Sequence, residues 1–279
     1  MPELTNGDVT IHYERWGDPE APAVILLHGF TADLRMWNEN VEALSQDFAV
    51  IAPDLRGHGL SSAPEDPAEY AIDAYRMDLL VLLDELNVDV CALVGCSFGG
   101  MIALDFACTY PERVAALVVS DSSPAPASDR YGDEFRDRER RMLEWEEVVR
   151  KLGTAGLAKG KASNMRDPFL GEGMRRRIGN MSADAYLGAS MMRRQRPDLI
   201  PVLAERLTMP VLLCVGDADP ARSGMRVIAE EVPEARVVTF RDTGHGVPVL
   251  RPAAFNHAVL QFFRDIEDGR PIAAERTVA

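Results

Sequence analysis

Short apolar runs alternate with longer segments of helical periodicity through the first 120 residues of the chain. The strand-like runs are residues 9–16, 23–27, 48–52, 91–94 and 114–119, and the helix-like segments are residues 68–87 and 98–110. Strands that alternate with helices in this way predict an α/β protein with a doubly wound, mainly parallel sheet. In such sheets ligands bind beyond the carboxyl ends of the strands, so the chemistry is expected there.

The strand-like runs stop after Ser123 and return roughly 85 residues later. Residues 136–151, within this gap, carry many good helix formers, and structureless loops of such length are uncommon in compact domains. We therefore expect an inserted helical cap over residues 124–209. The core domain would then consist of residues 1–123 and 210–279.

The sheet pattern resumes in the second part of this core. Apolar runs at residues 210–215 and 237–240 predict two further strands, and residues 252–265 predict a final helix. Residues 268–279 are polar, and we expect a frayed tail there.

Composition and charge restrict the class of protein. Hydrophobic residues make up 47% of the 279 residues, yet no apolar run approaches the ~18 residues that span a bilayer, so no membrane association is expected. Residues 1–7 lack the basic segment and apolar core of a signal peptide, which predicts a cytoplasmic location. The net charge of −14 opposes binding to a phosphate backbone and argues against a nucleic-acid partner.

The four cysteines lie in apolar segments and form no C-x-x-C pair. This placement predicts buried, reduced thiols and gives no indication of a metal site. A small-molecule substrate is the expected partner. The sequence leaves a homo-oligomer open.

The segment V-G-C-S-F-G-G at residues 94–100 places Ser97 in a G-x-S-x-G frame between a predicted strand and a predicted helix. A serine hydroxyl is a weak nucleophile, so it must project from a sharp turn where a base can reach it. Gly95 and Gly99 permit that turn, because a side chain there would collide with the neighbouring strand or helix. The pattern predicts a nucleophile elbow, although an ordinary glycine-rich turn has the same form.

A histidine at the end of the last predicted core strand supplies the expected base. His245 lies in D-T-G-H-G at residues 242–246, between two glycines that suit a loop aiming an imidazole at Ser97. The chain order of serine, acid and histidine is that of elbow-type hydrolases.

The turn after the second apolar run, H-G-F at residues 28–30, is the expected partner of the elbow. Its backbone can face Ser97 and donate the N–H of Phe30 to a developing oxyanion. The N–H of Phe98, directly after the serine, is the expected second donor. Taken alone, this segment would indicate an ordinary strand-to-helix turn, and its order in the chain with the elbow serine and the terminal Gly-His favours the oxyanion role.

Two aspartates compete for the role of triad acid. Asp219, in G-D-A-D-P at residues 216–220, lies far enough into its loop to reach His245, and we favour it. Asp121 also ends a predicted strand and stays open, since spatial position and not chain order decides which carboxylate meets the histidine.

Two further segments carry a family resemblance. P-D-L-R-G-H-G-L-S at residues 53–61 and Y-P-E-R-V at residues 110–114 are similar to motifs that accompany the elbow in the α/β-hydrolase superfamily. The chain resembles its capped members, which include esterases, lactonases and carbon–carbon hydrolases. A serine at position 97 argues against the branches that need a carboxylate nucleophile, the haloalkane dehalogenases and epoxide hydrolases.

The resemblance implies a cofactor-free serine hydrolase that cleaves a carboxylic ester or lactone of a small to medium, largely apolar substrate through an acyl-enzyme on Ser97. Carbon–carbon hydrolysis and acyl transfer use the same triad and stay open. A ligand-binding protein with slow turnover is the alternative from a different class, because fold does not fix function.

The charges of the expected cap differ from those of the core. Residues 130–206 contain 17 Lys or Arg and 12 Asp or Glu, including R-R-R at 175–177 and R-R-Q-R at 193–196, in a chain that is strongly acidic as a whole. These arginines predict either a cleft that attracts an anionic substrate or solvated helix faces, and the second reading is favoured.

Overall fold

The computed structural model describes residues 2–163 and 168–278. Nine strands of these residues form one sheet in the order β1-β2-β4-β3-β5-β6-β7-β8-β9. The strands are β1 (Glu3–Asn6), β2 (Val9–Trp16), β3 (Ala23–Leu27), β4 (Ala49–Pro53), β5 (Cys91–Cys96), β6 (Val114–Ser120), β7 (Val211–Gly216), β8 (Arg236–Phe240) and β9 (Ala274–Val278). β1 and β2 pair in antiparallel fashion, β2 is antiparallel to β4, and all other pairs are parallel. The predicted doubly wound, mainly parallel sheet is confirmed.

Helices flank both faces of the sheet. Those of the described residues are α1 (Asn38–Leu44), α2 (Ile72–Glu85), α3 (Phe98–Thr109), α4 (Asp133–Ser163), α5 (Pro168–Asn180), α6 (Ala183–Gln195), α7 (Leu203–Arg206), α8 (Arg222–Glu231), α9 (Val247–Leu250) and α10 (Pro252–Glu267). Within the part of the chain that the structure covers, no helix combines the length and the apolar character needed to cross a bilayer.

Every residue of β3 is apolar because helices cover this strand on both faces of the sheet. Ile25 and Leu27 lie in the core beneath α2 and α3, whereas Val24 and Leu26 lie in the core beneath α1 and α10. Successive side chains of a strand point to opposite faces, so a strand covered on both faces is apolar at every position. This burial fixes β3 in the sheet, where its carboxyl end lies next to the end of β5.

The expectation of a frayed tail is wrong for residues 274–278. They form β9 and pair in parallel with residues 236–240. An edge strand gains backbone hydrogen bonds from a single neighbour and needs no apolar stripe, so it leaves little trace in a hydrophobic pattern. The short edge strand β1, which turns into β2 through Gly7, was not predicted for the same reason.

The segment between β6 and β7 contains helices α4 to α7 and no strand among its described residues. We call residues 124–209 the insert; its status as a separate domain stays a prediction. Helix α4 bends at Gly153, which has a positive φ of 69°. The insert packs closely on the rest of the chain at Gly188 of α6, where a Cβ would lie 2.3 Å from the ring of Tyr70.

Arg196 joins the end of α6 to the start of the insert. The buried guanidinium donates from Nη2 to Ser123 Oγ at 2.8 Å and to the carbonyl of Ala125 at 2.5 Å. Burial, together with the nearby Arg193, lowers its pKa to about 10. Arg196 is therefore a structural link and does not face the solvent.

Candidate active site

Ser97 stands between β5 and α3 in a strained turn. Its φ is +54° and its ψ is −107°, a conformation that side chains rarely adopt. A Cβ at Gly95 would lie 2.4 Å from the carbonyl oxygen of Gly99, and a Cβ at Gly99 would lie 2.2 Å from that of Leu27. The two glycines therefore allow the helix to start against the strands while the serine side chain projects from the turn.

The structure brings Ser97, His245 and Asp219 together. His245 Nε2 is 2.8 Å from Ser97 Oγ, and His245 Nδ1 is 3.0 Å from each carboxylate oxygen of Asp219. Since an ionised carboxylate only accepts hydrogen bonds, Nδ1 is assigned the proton and Nε2 the free lone pair. In this tautomer Nε2 can accept the serine proton.

Asp121 makes no hydrogen bond with the imidazole among the described residues, but it holds the loops that carry the other two groups. Its Oδ2 accepts hydrogen bonds from the N–H of Val247 at 2.8 Å and of Gly246 at 3.3 Å. Its Oδ1 accepts from the N–H of Gly216 at 3.4 Å. Of the two candidate acids, Asp219 is the one that contacts His245.

The two aspartates have opposite protonation preferences. Burial and the neighbouring Asp219 raise the pKa of Asp121 well above its ordinary value. Burial alone would also raise the pKa of Asp219, but His245 and hydrogen bonds from Asp121 and the Ala221 N–H hold it below the ordinary range. Two adjacent carboxyls avoid ionising together, so Asp121 is the neutral member and Asp219 the charged one.

The pKa of His245 is lowered, first by burial and then by the guanidinium of Arg138. The carboxylate of Asp219 acts in the opposite direction, and Arg193 adds to the lowering. The imidazole is therefore neutral at pH 7, the state in which a general base can accept a proton.

The turn after β3 lies against the elbow. A Cβ at Gly29 would be 3.7 Å from the Cβ of Ser97. His28 fixes this turn, because its Nε2 accepts from the Leu55 N–H at 3.0 Å and its Nδ1 donates to the Gly29 carbonyl at 2.9 Å. Burial lowers the pKa of His28 to about 4 and keeps the ring neutral for both bonds.

Phe30 and Phe98 lie side by side, with ring centroids 5.8 Å apart. Within the described residues, no hydrogen bond uses the backbone N–H of either residue. An unpaired backbone N–H can donate to an oxyanion, and the role of Phe30 and Phe98 as such donors stays a proposal.

Sequence reasoning missed Arg138, which lies on α4 of the insert. Its Nη2 is 3.2 Å from His245 Nε2, so it touches the proposed catalytic histidine. Burial lowers the pKa of this guanidinium, and the neighbouring Arg193 lowers it further. No local motif surrounds Arg138, and only the path of α4 over the site places it there.

The arginines of the two runs in the insert differ in their exposure to solvent. Arg175 and Arg176 are exposed, and Arg194 is paired with Glu146 at 2.8 Å. Arg193, in contrast, is buried with 2% of its surface exposed, and its guanidinium lies over the ring of Phe30 at 5.7 Å. Solvated helix faces therefore account for part of these runs, and Arg193 turns inward.

A cavity of about 400 Å³ lies near the site, between the turn after β3 and the end of α5. Asp33, Arg35, His58 and Arg177 are among its lining residues, whereas the three residues of the hydrogen-bonded chain are not. The ring of His58 also packs against the ring of Phe98, with centroids 5.6 Å apart. The four cysteines are free and buried, and no described group of His, Cys, Asp or Glu is arranged to hold a metal ion.

Comparison with known proteins agrees with this architecture. The family model of the α/β hydrolase fold matches residues 22–252. The chain belongs to this family, and it is a hydrolase.

Several relatives are similar along nearly the whole chain. The 3-oxoadipate enol-lactonase 2 of Acinetobacter baylyi is 28% identical over 264 residues, which are 92% of this chain and 94% of the relative. A putative 2-succinyl-6-hydroxy-2,4-cyclohexadiene-1-carboxylate synthase of Bacillus subtilis is 30% identical over 264 residues, with coverage of 90% and 93%. The solved structure of the enol-lactonase from Burkholderia xenovorans LB400 superposes with a TM-score of 0.81 at 25% identity and covers 94% of this chain and 100% of its own. The thermophilic esterase from Thermogutta terrifontis gives a TM-score of 0.80 at 27% identity, with coverage of 95% and 99%.

Proposed function

We propose that the protein is a serine hydrolase that cleaves a carboxylic ester or lactone through an acyl-enzyme on Ser97. The observation that carries this proposal is the continuous hydrogen-bonded chain from Asp219 through His245 to Ser97, with distances of 3.0 and 2.8 Å. Similarity to enol-lactonases and to an esterase supports the ester and lactone class. Carbon–carbon cleavage and acyl transfer stay as the alternatives.

In the proposed reaction, Ser97 Oγ attacks the carbonyl carbon while His245 Nε2 takes the hydroxyl proton. Asp219 holds the imidazole in the required tautomer and stabilises the imidazolium that forms. The backbone N–H groups of Phe30 and Phe98 donate to the oxyanion.

The tetrahedral intermediate collapses when His245 gives its proton to the leaving alkoxide. A water molecule, activated by the same histidine, then hydrolyses the acyl ester on Ser97 and restores the free enzyme. The reaction requires no cofactor. The small-molecule substrate and the cytoplasmic location stay predictions.

Labelling with a fluorophosphonate followed by intact mass measurement tests this proposal. We expect one adduct in the wild type and none in Ser97→Ala or His245→Ala, because the reagent needs an activated serine. Retained labelling in Ser97→Ala would place the nucleophile elsewhere. An unlabelled wild type that binds esters without hydrolysing them would favour the ligand-binding alternative.

A further inference from the structure

Two guanidinium groups of the insert lie beside the proposed catalytic residues. Arg138 of α4 contacts His245 Nε2 at 3.2 Å, and Arg193 of α6 lies over the ring of Phe30. Both arginines contribute to lowering the pKa of His245, which places their charges within reach of the reacting groups. No local sequence motif predicts either contact, because α4 and α6 come together only in the folded protein.

Arg138 and Arg193 share one carboxylate as their hydrogen-bonded acid. Arg193 Nη2 donates to both carboxylate oxygens of Glu139 at 2.6 and 2.7 Å, and Arg138 Nη1 lies 3.3 Å from one of the same oxygens. One carboxylate therefore pairs with two guanidinium groups, and the charge of Asp219 also acts on Arg138 from beside His245. A single carboxylate cannot accept from every N–H of two guanidinium groups, which leaves donors for one additional anion.

Two buried polar groups next to Phe30 have no hydrogen-bond partner among the described residues. They are Nη1 of Arg193 and the hydroxyl of Tyr186. Tyr186 and Arg193 are seven residues apart on α6, which places them on the same face of the helix. Their side chains both meet the ring of Phe30, with Tyr186 at a centroid distance of 4.9 Å. Unpaired buried donors are costly unless a ligand satisfies them.

We propose that Arg138, Arg193 and Tyr186 form a subsite for a carboxylate carried by the substrate. This inference rests on the proposed function and adds an anionic group to the substrate class. Planar guanidinium groups bind carboxylates through paired, charge-assisted hydrogen bonds, which makes a carboxylate the anion that fits.

Binding of the carboxylate also changes the contacts of His245. The lone pair of Nε2 faces two donors, the hydroxyl of Ser97 and the guanidinium of Arg138. A carboxylate draws Arg138 toward itself and leaves this lone pair to the serine proton. The substrate charge thereby helps to prepare the base that acts on it.

Matched pairs of esters test this subsite. One pair consists of 4-nitrophenyl hexanoate and the mono-4-nitrophenyl ester of adipic acid, whose acyl chains differ only in the terminal carboxylate. The second pair consists of phenyl hexanoate and 4-carboxyphenyl hexanoate, which carries the charge on the leaving group. We expect the wild type to prefer the carboxylate member of at least one pair by about 10- to 100-fold in kcat/KM. A factor of this size corresponds to the contribution of one charge-assisted hydrogen bond.

The variants Arg138→Gln and Arg193→Gln should each remove most of that preference, chiefly through a higher KM for the charged ester. Arg141→Gln is the matched control, because Arg141 is an exposed arginine of the same helix and its replacement removes the same charge. Circular dichroism and thermal unfolding exclude variants that do not fold. If the wild type has no preference in either pair, or if both members of a pair fall equally in Arg138→Gln, the subsite is wrong.

Binding without turnover separates this inference from the proposed function. Calorimetry with Ser97→Ala should detect adipate and not its neutral diamide, and the double variant Ser97→Ala/Arg138→Gln should bind adipate at least about 10-fold more weakly. This result would support the subsite even if fluorophosphonate labelling failed. Equal affinity for adipate and the diamide would overturn it even if Ser97 were labelled.

Discussion

At the scale of single residues, His245 determines the pH range in which the proposed reaction runs. The imidazole must be neutral to accept the serine proton, so activity is lost as the pH falls through its pKa. Burial and Arg138 lower that pKa, which extends activity toward lower pH. Asp219 opposes them, and the balance of these groups sets the acid limb of the profile.

We predict that Arg138→Gln moves the acid limb of kcat/KM for a neutral ester to higher pH. The pKa of His245 rises when the nearby positive charge is removed, because the imidazolium is then less disfavoured. A pH profile with 4-nitrophenyl hexanoate measures the shift, with Arg141→Gln as the control that keeps the wild-type limb. A shift to lower pH in Arg138→Gln would contradict this electrostatic account.

At the scale of elements, the close approach of α3 to the ends of β3 and β5 decides the position of Ser97. Gly99 belongs to the first turn of α3, and the site that its Cβ would occupy is already filled by the backbone of Leu27 and His28. Backbone atoms of a central strand cannot move away as a side chain can. The elbow thus depends on a small residue at this position.

We predict that Gly99→Ala destabilises the protein by about 1–3 kcal/mol, as overpacking of a filled site does, and impairs labelling of Ser97. Gly179→Ala is the matched control, since Gly179 lies in α5 with no described atom within 4 Å of its Cβ position. That replacement should leave stability equal or raise it by up to about 1 kcal/mol. Chemical denaturation measures both values, and equal stability of the two variants would argue against the close contact.

At the scale of the whole molecule, Asp121 joins three loops that are distant in the chain. It follows β6, and its carboxyl oxygens accept hydrogen bonds from Gly216 at the end of β7 and from Gly246 and Val247 beside the histidine. It thereby sets the distance between Asp219 and His245 without touching the imidazole. Asp121 is a positioning residue in the proposed reaction.

We predict unequal effects for Asp219→Asn and Asp121→Asn. Loss of the charged partner of His245 should lower kcat by about 10³- to 10⁴-fold, as in other triads. Displacement of the loops in Asp121→Asn should lower kcat by about 10- to 100-fold with little change in KM. Steady-state kinetics on one ester gives both values. A loss in Asp121→Asn as large as that in Asp219→Asn would contradict a positioning role for Asp121.

The local pattern of hydrophobic residues and glycines was sufficient to predict much of the fold. The buried strands of the sheet were predictable because a strand covered on both faces must be apolar throughout, as β3 is. The edge strand β9 was not predictable, because a strand that pairs with a single neighbour does not need an apolar side chain at each position. Ser97 and His245 were recognisable because the turns that aim them require adjacent glycines.

The sequence by itself determined the buried strands of the sheet and the turns that carry Ser97 and His245, since these depend on the hydrophobic period and on backbone conformations that few residues adopt. Only the tertiary structure shows that Asp219, and not Asp121, contacts His245, because both follow a strand and the path of their loops sets which oxygen meets the imidazole. The fold alone also placed Arg138 and Arg193 at the site, since helices α4 and α6 meet across about fifty residues of chain and no local pattern encodes the face that each presents.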